Sequence, residues 1–232
     1  MAAFFLKTDE YECLKKLYLQ TDLADENDEK LLRNSSIVVM DEDGNRRLDK
    51  YKVSILRTCF LSKICMLVDK NNKEEENCYY LYNDQIVYVQ KKIDGYTFIN
   101  LPSIKYAIGS IADLFWDEIT QAEKEQHEIS CLEKIDNNNY VFVLNKLFAD
   151  TEYQLNEISL DEKEIVFTGI INSNKVDFLI FVRIIDRKCY YYKCETDSVI
   201  YGKIDRTGLV NLISSWMLYK HKELIETMIG EE

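Results

Sequence analysis

The sequence predicts an α+β fold in which a central antiparallel β-sheet is flanked by helices. Short runs of β-branched and aromatic residues are separated by polar turns, which is typical of strands joined by hairpins. Longer segments place apolar residues three and four positions apart, which is typical of amphipathic helices. Only seven glycines and one proline occur among the 232 residues. Because glycine and proline together make up roughly 12% of an ordinary chain, this scarcity indicates an ordered protein rather than a linker or a low-complexity chain.

The chain begins with a short strand and three helices. Asp9 and Glu10 follow Thr8 at the start of the first helix, where carboxylates face the positive end of the helix dipole. A turn signal occupies residues 41–45, and helical spacing of apolar residues resumes near Asp49. The predicted elements are a strand over 3–7, helices from Thr8, over 28–35 and from Asp49, and a strand over 64–68.

A hairpin, a third strand and a helix complete the first half. Asn83-Asp84 separates two strand-like runs as a tight turn, and Asp94-Gly95 is a second turn signal. Pro102 suits the first turn of a helix, because its missing N–H has no partner there anyway. The predicted elements are strands over 78–82, 85–92 and 96–100, and a helix from Pro102 that continues through the charged stretch 117–134.

The second half repeats this order. Polar residues at 172–174 and 186–188 mark turns between strand-like runs, and Asp205-Arg206-Thr207-Gly208 precedes the closing helix. The predicted elements are a strand over 140–144, a helix over 151–160, strands over 164–171, 176–186, 188–194 and 198–204, and a helix over 208–229.

The two hairpin-then-helix segments can be overlaid. Residues 82–114 match 185–217 at an offset of about 103–105, and Tyr88 then meets Tyr191. Two interpretations stay open: any two strand pairs followed by a helix would align this well, or the protein is a pseudo-twofold pair of related halves. The second interpretation predicts an N-terminal half over 1–136 and a C-terminal half over 137–232, packed as one compact unit.

Charge and cysteine content narrow the class of protein. With 29 basic and 41 acidic side chains, the net charge is −12. This argues against a nucleic-acid binder or a protein that docks on anionic membranes, because both depend on clustered Lys and Arg. Seven irregularly spaced cysteines indicate reduced thiols. With no signal-peptide pattern and no membrane-length apolar stretch, the sequence predicts a cytoplasmic protein without membrane insertion.

No pattern for catalysis, a metal or a cofactor stands out. The segment 41–45 lacks the Gly and Glu spacing of a calcium loop. Neither His127 nor His221 has another His three to five residues away, and no two cysteines are two to four positions apart, which argues against a zinc site; both histidines are assigned to charged helix faces. We therefore expect no catalytic residues, no metal and no cofactor. An enzyme with an unrecognised site stays open as an alternative.

Two tyrosine clusters are the most distinctive feature of the sequence. Tyr79, Tyr80 and Tyr82 lie on one predicted strand, and residues 190–192 are three consecutive tyrosines on another. Consecutive strand residues point to opposite faces, so each cluster places aromatic rings on both sides of the sheet. The outward rings either cover neighbouring strands or form a surface for a partner.

The order of these segments resembles the EspG-type chaperones of type VII secretion systems, and more closely their shorter EsaE-type relatives. The segments that carry the resemblance are the strand and capped helix of residues 4–11, the Asp-containing turn and the long helix after it within 41–64, and the hairpin–strand–helix unit that occurs twice. The resemblance implies a cytosolic, non-enzymatic protein with a pseudo-twofold antiparallel sheet. It also implies a partner surface on hairpin loops and the C-terminal helical region.

From this resemblance we expect a chaperone that binds a helical secretion substrate and keeps it soluble for export. A helix-in-groove contact is the expected mode. Tyr191, Trp216 and Tyr219 are the candidate partner-binding residues, chosen for aromatic character and expected placement. The alternative is an immunity protein that neutralises a toxin from the same locus, since an acidic protein suits a basic toxin.

Overall fold

A computed structural model describes residues 3–19, 26–70, 76–113, 125–130, 163–171, 175–185, 188–195 and 197–230. Within these residues the chain forms five helices and twelve strands. The helices are α1 (Thr8–Leu19), α2 (Glu26–Arg33), α3 (Lys50–Leu61), α4 (Ile104–Asp113) and α5 (Arg206–Gly230). The strands are β1 (Ala3–Lys7), β2 (Val38–Met40), β3 (Arg46–Leu48), β4 (Ile64–Lys70), β5 (Glu76–Tyr82), β6 (Gln85–Lys92), β7 (Gly95–Leu101), β8 (Glu125–Ser130), β9 (Lys163–Ile171), β10 (Lys175–Ile185), β11 (Lys188–Cys194) and β12 (Ser198–Lys203).

Ten of these strands form one antiparallel sheet in the order β1-β7-β6-β5-β4-β9-β10-β11-β12-β8, and β2 pairs with β3 separately. The central strands β4 and β9 pair with each other. On either side of them a meander leads outward, and a strand from earlier in the chain forms each edge. The predicted α+β fold with pseudo-twofold halves is therefore confirmed.

The two meanders have the same register. Adding 103 to both members of the Tyr82–Gln85 pair gives the Ile185–Lys188 pair, and both pairs are observed. The same shift converts the Tyr88–Ile99 pair into the observed Tyr191–Gly202 pair. Because side chains alternate between faces, an identical register places equivalent residues on the same face of the sheet.

The helices after the meanders also begin alike, at a shift of 102. The Ser103 hydroxyl accepts a hydrogen bond from the Tyr106 amide at 3.2 Å, and the Asp205 carboxylate accepts one from the Gly208 amide at 2.6 Å. These side chains satisfy amides that the first helical turn leaves free. Buried positions correspond as well, since Ala107 matches Leu209 and Ile111 matches Ile213.

Two apolar clusters lie on opposite faces of the sheet. One lies between the sheet and α4 and α5, and includes residues of both halves such as Met66 and Phe167. The other lies on the opposite face of the first half, among β1, β5–β7, α1 and α3, with Phe4 stacked on Phe98 at 5.0 Å between ring centroids. No described helix is long and apolar enough to cross a membrane.

A residue at a β-bulge in β10 connects α5 to the sheet of the second half. The register between β9 and β10 shifts between Val176 and Phe178, so Asp177 has no partner in the ladder. Its carboxylate instead accepts a hydrogen bond from Trp216 Nε1 at 2.8 Å. The Trp216 ring lies over Gly169, where an added Cβ would be 2.5 Å from the indole. A bulge commonly redirects a side chain in this way, and here it anchors the helix to the sheet.

The predicted helix over 117–134 is wrong where the structure describes it. Residues 125–130 form the edge strand β8, and His127 pairs with Tyr201, with the rings stacked at 5.3 Å. The polar composition resembled a solvated helix face, and an exposed edge strand carries charge for the same reason, contact with water. His127 is therefore on a strand and not on the helix face assigned to it.

Most other predicted elements are confirmed to within a few residues. Both short strands β2 and β3 were missed from the sequence, and the turn at 41–45 connects them into a hairpin. In that turn Asp41 Oδ1 accepts hydrogen bonds from the amides of Asp43 and Asn45 at 3.0 and 2.7 Å. The strand predicted over 140–144 and the helix over 151–160 lie outside the described residues. The division at residue 136 stays a prediction; β8, which precedes it, pairs with β12.

Candidate partner-binding surface

The three residues proposed from the sequence occupy different environments. Tyr191 is 5% exposed and Trp216 is 8% exposed, and both belong to the apolar cluster beneath α4 and α5. Tyr219 is 64% exposed on α5. The structure therefore leaves only Tyr219 of the three with a large surface for direct contact, and places the other two where they support α5.

The β5–β6 turn meets the C-terminal helix. Asn83 has a φ of +51°, a left-handed conformation that asparagine tolerates better than most residues and that suits a tight hairpin turn. Its carbonyl oxygen lies 2.7 Å from His221 Nε2 of α5. This contact brings together the two regions that the sequence predicted as a partner surface, a hairpin loop and the closing helix.

A cleft of about 370 Å³ lies on the other side of the same turn, against α3. It is lined by Ser54, Arg57, Thr58, Tyr82, Asn83, Asp84 and Gln85. Thr58 Oγ1 donates a hydrogen bond to Gln85 Oε1 at 2.6 Å, which fixes the base of the turn to the helix. The turn therefore projects between α3 on one face of the sheet and α5 on the other.

One exposed apolar side chain on α5, that of Leu218, lies beside this turn. Leu218 is 48% exposed and precedes His221 by three residues, so the two lie on neighbouring positions of one helix face. Tyr219 lies on a different side of the helix, where the Lys220 ammonium is 5.4 Å from its ring centroid. We name the set of Arg57, residues 82–85, Leu218, Tyr219 and His221 the turn surface.

Lys220 holds α5 to the bulge beside this surface. Its ammonium forms ion pairs with Asp177 at 3.2 Å and with Glu223 at 3.0 Å. Burial alone would lower the pKa of Lys220, but the hydrogen bonds to Glu223 and Asp177 outweigh it and raise the pKa. The lysine is therefore charged at neutral pH, and its ion pair with Asp177 of β10 ties the helix to the sheet, whereas the pair with Glu223 lies within α5.

The buried thiols are poorly suited to nucleophilic chemistry. Burial raises the pKa of Cys189 to about 12 and raises the pKa of Cys59 well above its ordinary value. A hydrogen bond from the Cys65 thiol lowers the pKa of Cys78 and raises that of Cys65. Because the thiolate is the reactive form, Cys59 and Cys189 stay inert near neutral pH. The described residues contain no group of three or more His, Cys, Asp or Glu side chains that could hold a metal ion.

Sequence reasoning missed the cleft and Leu218. The available signals were the predicted Asn83-Asp84 turn and the polar spacing of Ser54, Arg57 and Thr58 along one helix. Neither signal shows that the turn and the helix meet, because Thr58 and Gln85 are 27 residues apart in the chain. Other exposed apolar residues in the described part of the chain, such as Met40 and Ile93, lie outside the turn surface.

Comparison with known proteins identifies the fold. No protein-family model matches the chain, and no curated protein does. Among solved structures, the chain is similar to the Mycobacterium tuberculosis type VII secretion system chaperone EspG5, determined in complex with the PE25–PPE41 dimer. The TM-score is 0.52 and the identity 9%, over 92% of this chain and 95% of that chain. The chain thus has an EspG-like fold, as the resemblance in its sequence implied, and at this identity the likeness extends to the fold alone.

Proposed function

We propose that this protein is a non-enzymatic cytoplasmic chaperone that binds a helical substrate of a type VII secretion system and keeps it soluble for export. The observation that carries the proposal is the likeness to EspG5 over nearly the full length of both chains. EspG5 is a chaperone whose structure was solved in complex with a protein dimer. The meeting of the β5–β6 turn with α5 supports the same class of activity here, because it brings the exposed apolar side chain of Leu218 beside a polar hairpin turn.

The turn surface suits an amphipathic helix. Leu218 presents apolar area beside a polar turn, and Tyr219 adds apolar area on the next side of α5, which matches the mixed character of protein–protein interfaces. A substrate helix that lays its apolar stripe against these side chains removes that stripe from water. Covering the stripe prevents self-association of the substrate, which is the physical content of keeping it soluble. Tyr191 and Trp216 contribute indirectly, because both belong to the apolar cluster through which α5 packs on the sheet.

Co-expression tests the proposal. Each protein encoded beside this gene in a secretion locus is expressed with and without the chain, and its soluble fraction and co-purification are measured. We expect one helical neighbour to become soluble and to co-purify. The Leu218→Asp and Tyr219→Asp variants place a charge in the apolar contact and should lose the partner. The control is Met40→Asp, which alters a residue that is 63% exposed outside the turn surface. If no neighbour gains solubility, or if Met40→Asp abolishes binding as strongly, the proposal fails.

The second candidate is an immunity protein, favoured by the net charge of −12. An acidic surface attracts a basic toxin and accelerates association at low salt. Cells that express a toxin from the same locus would survive when this chain is present. Protection together with binding at the toxin's active site would favour the immunity role, whereas export of the bound partner would favour the chaperone role.

A further inference from the structure

We infer that the cleft beside the β5–β6 turn binds the first turn of a partner helix that carries an Asp or Glu side chain, with Arg57 as the counter-ion. The inference deepens the proposed function, on which it rests, because it names the chemistry that the turn surface recognises. It assigns a recognition role to the cleft, whereas the apolar contact alone would depend only on α5.

The cleft offers hydrogen-bond donors around a free guanidinium. Arg57 is exposed and makes no ion pair or hydrogen bond within the described residues. The Ser54 hydroxyl lies one helical turn before it. The side-chain Oε1 of Gln85 accepts a hydrogen bond from the Thr58 hydroxyl, and this leaves the side-chain Nε2 of Gln85 available to donate. A planar guanidinium with neighbouring donors suits a carboxylate, which accepts several hydrogen bonds at once.

The charge near the cleft is opposite to that of the whole protein. Lys63 precedes β4, and the pairing of Ile64 with Leu81 places Lys63 beside Tyr82 at the wall of the cleft. Lys63 is exposed, and it too makes no ion pair among the described residues. In a chain of net charge −12, Arg57 in the cleft and Lys63 next to it outnumber the single carboxylate of Asp84, and this local excess attracts an acidic group.

The Asp84 carboxylate is the reason to expect the partner's acidic side chain at the N-terminus of a helix. This carboxylate lines the same cleft, is exposed, and has no hydrogen-bond partner in the described part of the chain. It would repel an isolated anion. The first turn of a helix has free backbone N–H groups that Asp84 can accept from, and acidic side chains are favoured in that turn. A single partner segment can therefore satisfy both Arg57 and Asp84.

The test uses the isolated protein and two helical peptides. Both peptides are about 16 residues long, amphipathic and of identical composition, with leucines on one face. One peptide carries its glutamates in the first turn, and the other carries them in the last turn. Nuclear magnetic resonance of the labelled protein follows the side-chain signals of Arg57 and Gln85 during titration.

We expect the peptide with N-terminal glutamates to shift these signals, and to bind about tenfold more weakly to Arg57→Gln. The peptide with C-terminal glutamates should leave them unchanged. Arg46→Gln is the matched control, because it removes the same charge from an exposed arginine on β3 and should bind normally. Equal behaviour of the two peptides, equal loss in both variants, or no shift at Arg57 with either peptide would overturn the inference. The peptides need no natural substrate, so this result is separate from the outcome of the co-expression test.

Discussion

Two segments of this protein share one design and differ at one end. The first block contains β5–β7 and α4, and the second block contains β10–β12 and α5. Their strands have the same register and their helices begin with equivalent caps. However, α4 is 10 residues long, whereas α5 has 25 residues and continues past the centre of the sheet.

The longer helix makes the pseudo-twofold molecule asymmetric. Beyond the part of α5 that corresponds to α4, Trp216 packs over Gly169 at the centre, and His221 reaches the turn of the first block. The two meanders therefore have the same structure, and the extension of α5 contributes the residues that complete the turn surface. Changes in the extension should affect the protein differently from changes in the part that both helices share.

The largest expected effect is at Trp216. Trp216→Ala removes the ring that fills the space over Gly169 and removes the indole N–H that donates to the Asp177 carboxylate, which then keeps, among the described residues, only its pairing with Lys220. We expect the free energy of unfolding to fall by about 3–5 kcal/mol, measured by urea denaturation. The exposed Tyr219 on the same helix is the control, and Tyr219→Ala should change stability by less than about 0.5 kcal/mol. Similar losses in both variants would show that the extension is not anchored through Trp216.

Alkaline pH should destabilise the first block before the second block. In the first block and the helices that cover it, burial raises the pKa of Tyr11, Cys59, Tyr79 and Tyr80 above their ordinary values of 9 to 10. A group with a raised folded-state pKa contributes stability that is fully present below its unfolded pKa and is lost as the pH rises through its folded pKa. Stability should therefore fall above pH of about 9.

Hydrogen exchange at successive pH values measures this loss block by block. The second block has fewer such groups among its described residues, where burial raises the pKa of Cys189 to about 12 and also raises that of Tyr191. We expect amides of β5 and β6 to lose protection at a lower pH than those of β10 and β11. Simultaneous loss in both blocks would mean that the sheet opens as one unit.

Alanine substitutions of two glycines should change stability in opposite directions, at Gly169 beneath the α5 extension and at Gly109 of α4. An alanine at Gly169 would place its Cβ 2.5 Å from the Trp216 ring, so Gly169→Ala should destabilise the protein by about 1–3 kcal/mol. Gly109 of α4 has open space at its Cβ position, and Gly109→Ala should stabilise the protein by about 0.5–1 kcal/mol through helix propensity. Thermal unfolding of both variants is the measurement, and a destabilised Gly109→Ala would show that α4 packs more closely than this open space indicates.

The smallest expected change in stability comes from Ser214→Ala, which gives α5 the residue that α4 has at the equivalent position. Ser214 is buried, its hydroxyl has no hydrogen-bond partner among the described residues, and a shift of 102 places it opposite Ala112 of α4. Ser214→Ala removes an unsatisfied polar group and raises helix propensity, so we expect a gain of about 0.5–1 kcal/mol in the free energy of unfolding, measured by urea denaturation. Loss of stability, or loss of partner binding with stability retained, would indicate that the hydroxyl has a role that α4 lacks.

The local elements and their order follow from the amino-acid sequence alone. Hydrophobic spacing predicted α5, and alternation between turns predicted the strands of both meanders, because these signals depend on residues only a few positions apart. The overlay of the two hairpin-then-helix segments was also visible in the sequence. The observed strand register favours the interpretation that they are related by a pseudo-twofold arrangement.

Which faces of the elements are covered, and which residues meet at the β5–β6 turn, depends on how the elements pack. Tyr191 and Trp216 are aromatic residues on predicted elements, but their burial depends on helices and strands that pack over them. The strand β8 forms because its backbone pairs with β12, despite a polar sequence that resembles a helix surface. The turn surface depends on a contact between Asn83 and His221, which are 138 residues apart. Local preference acts over a few residues, whereas burial, pairing and the assembly of a surface depend on contacts that no local pattern encodes.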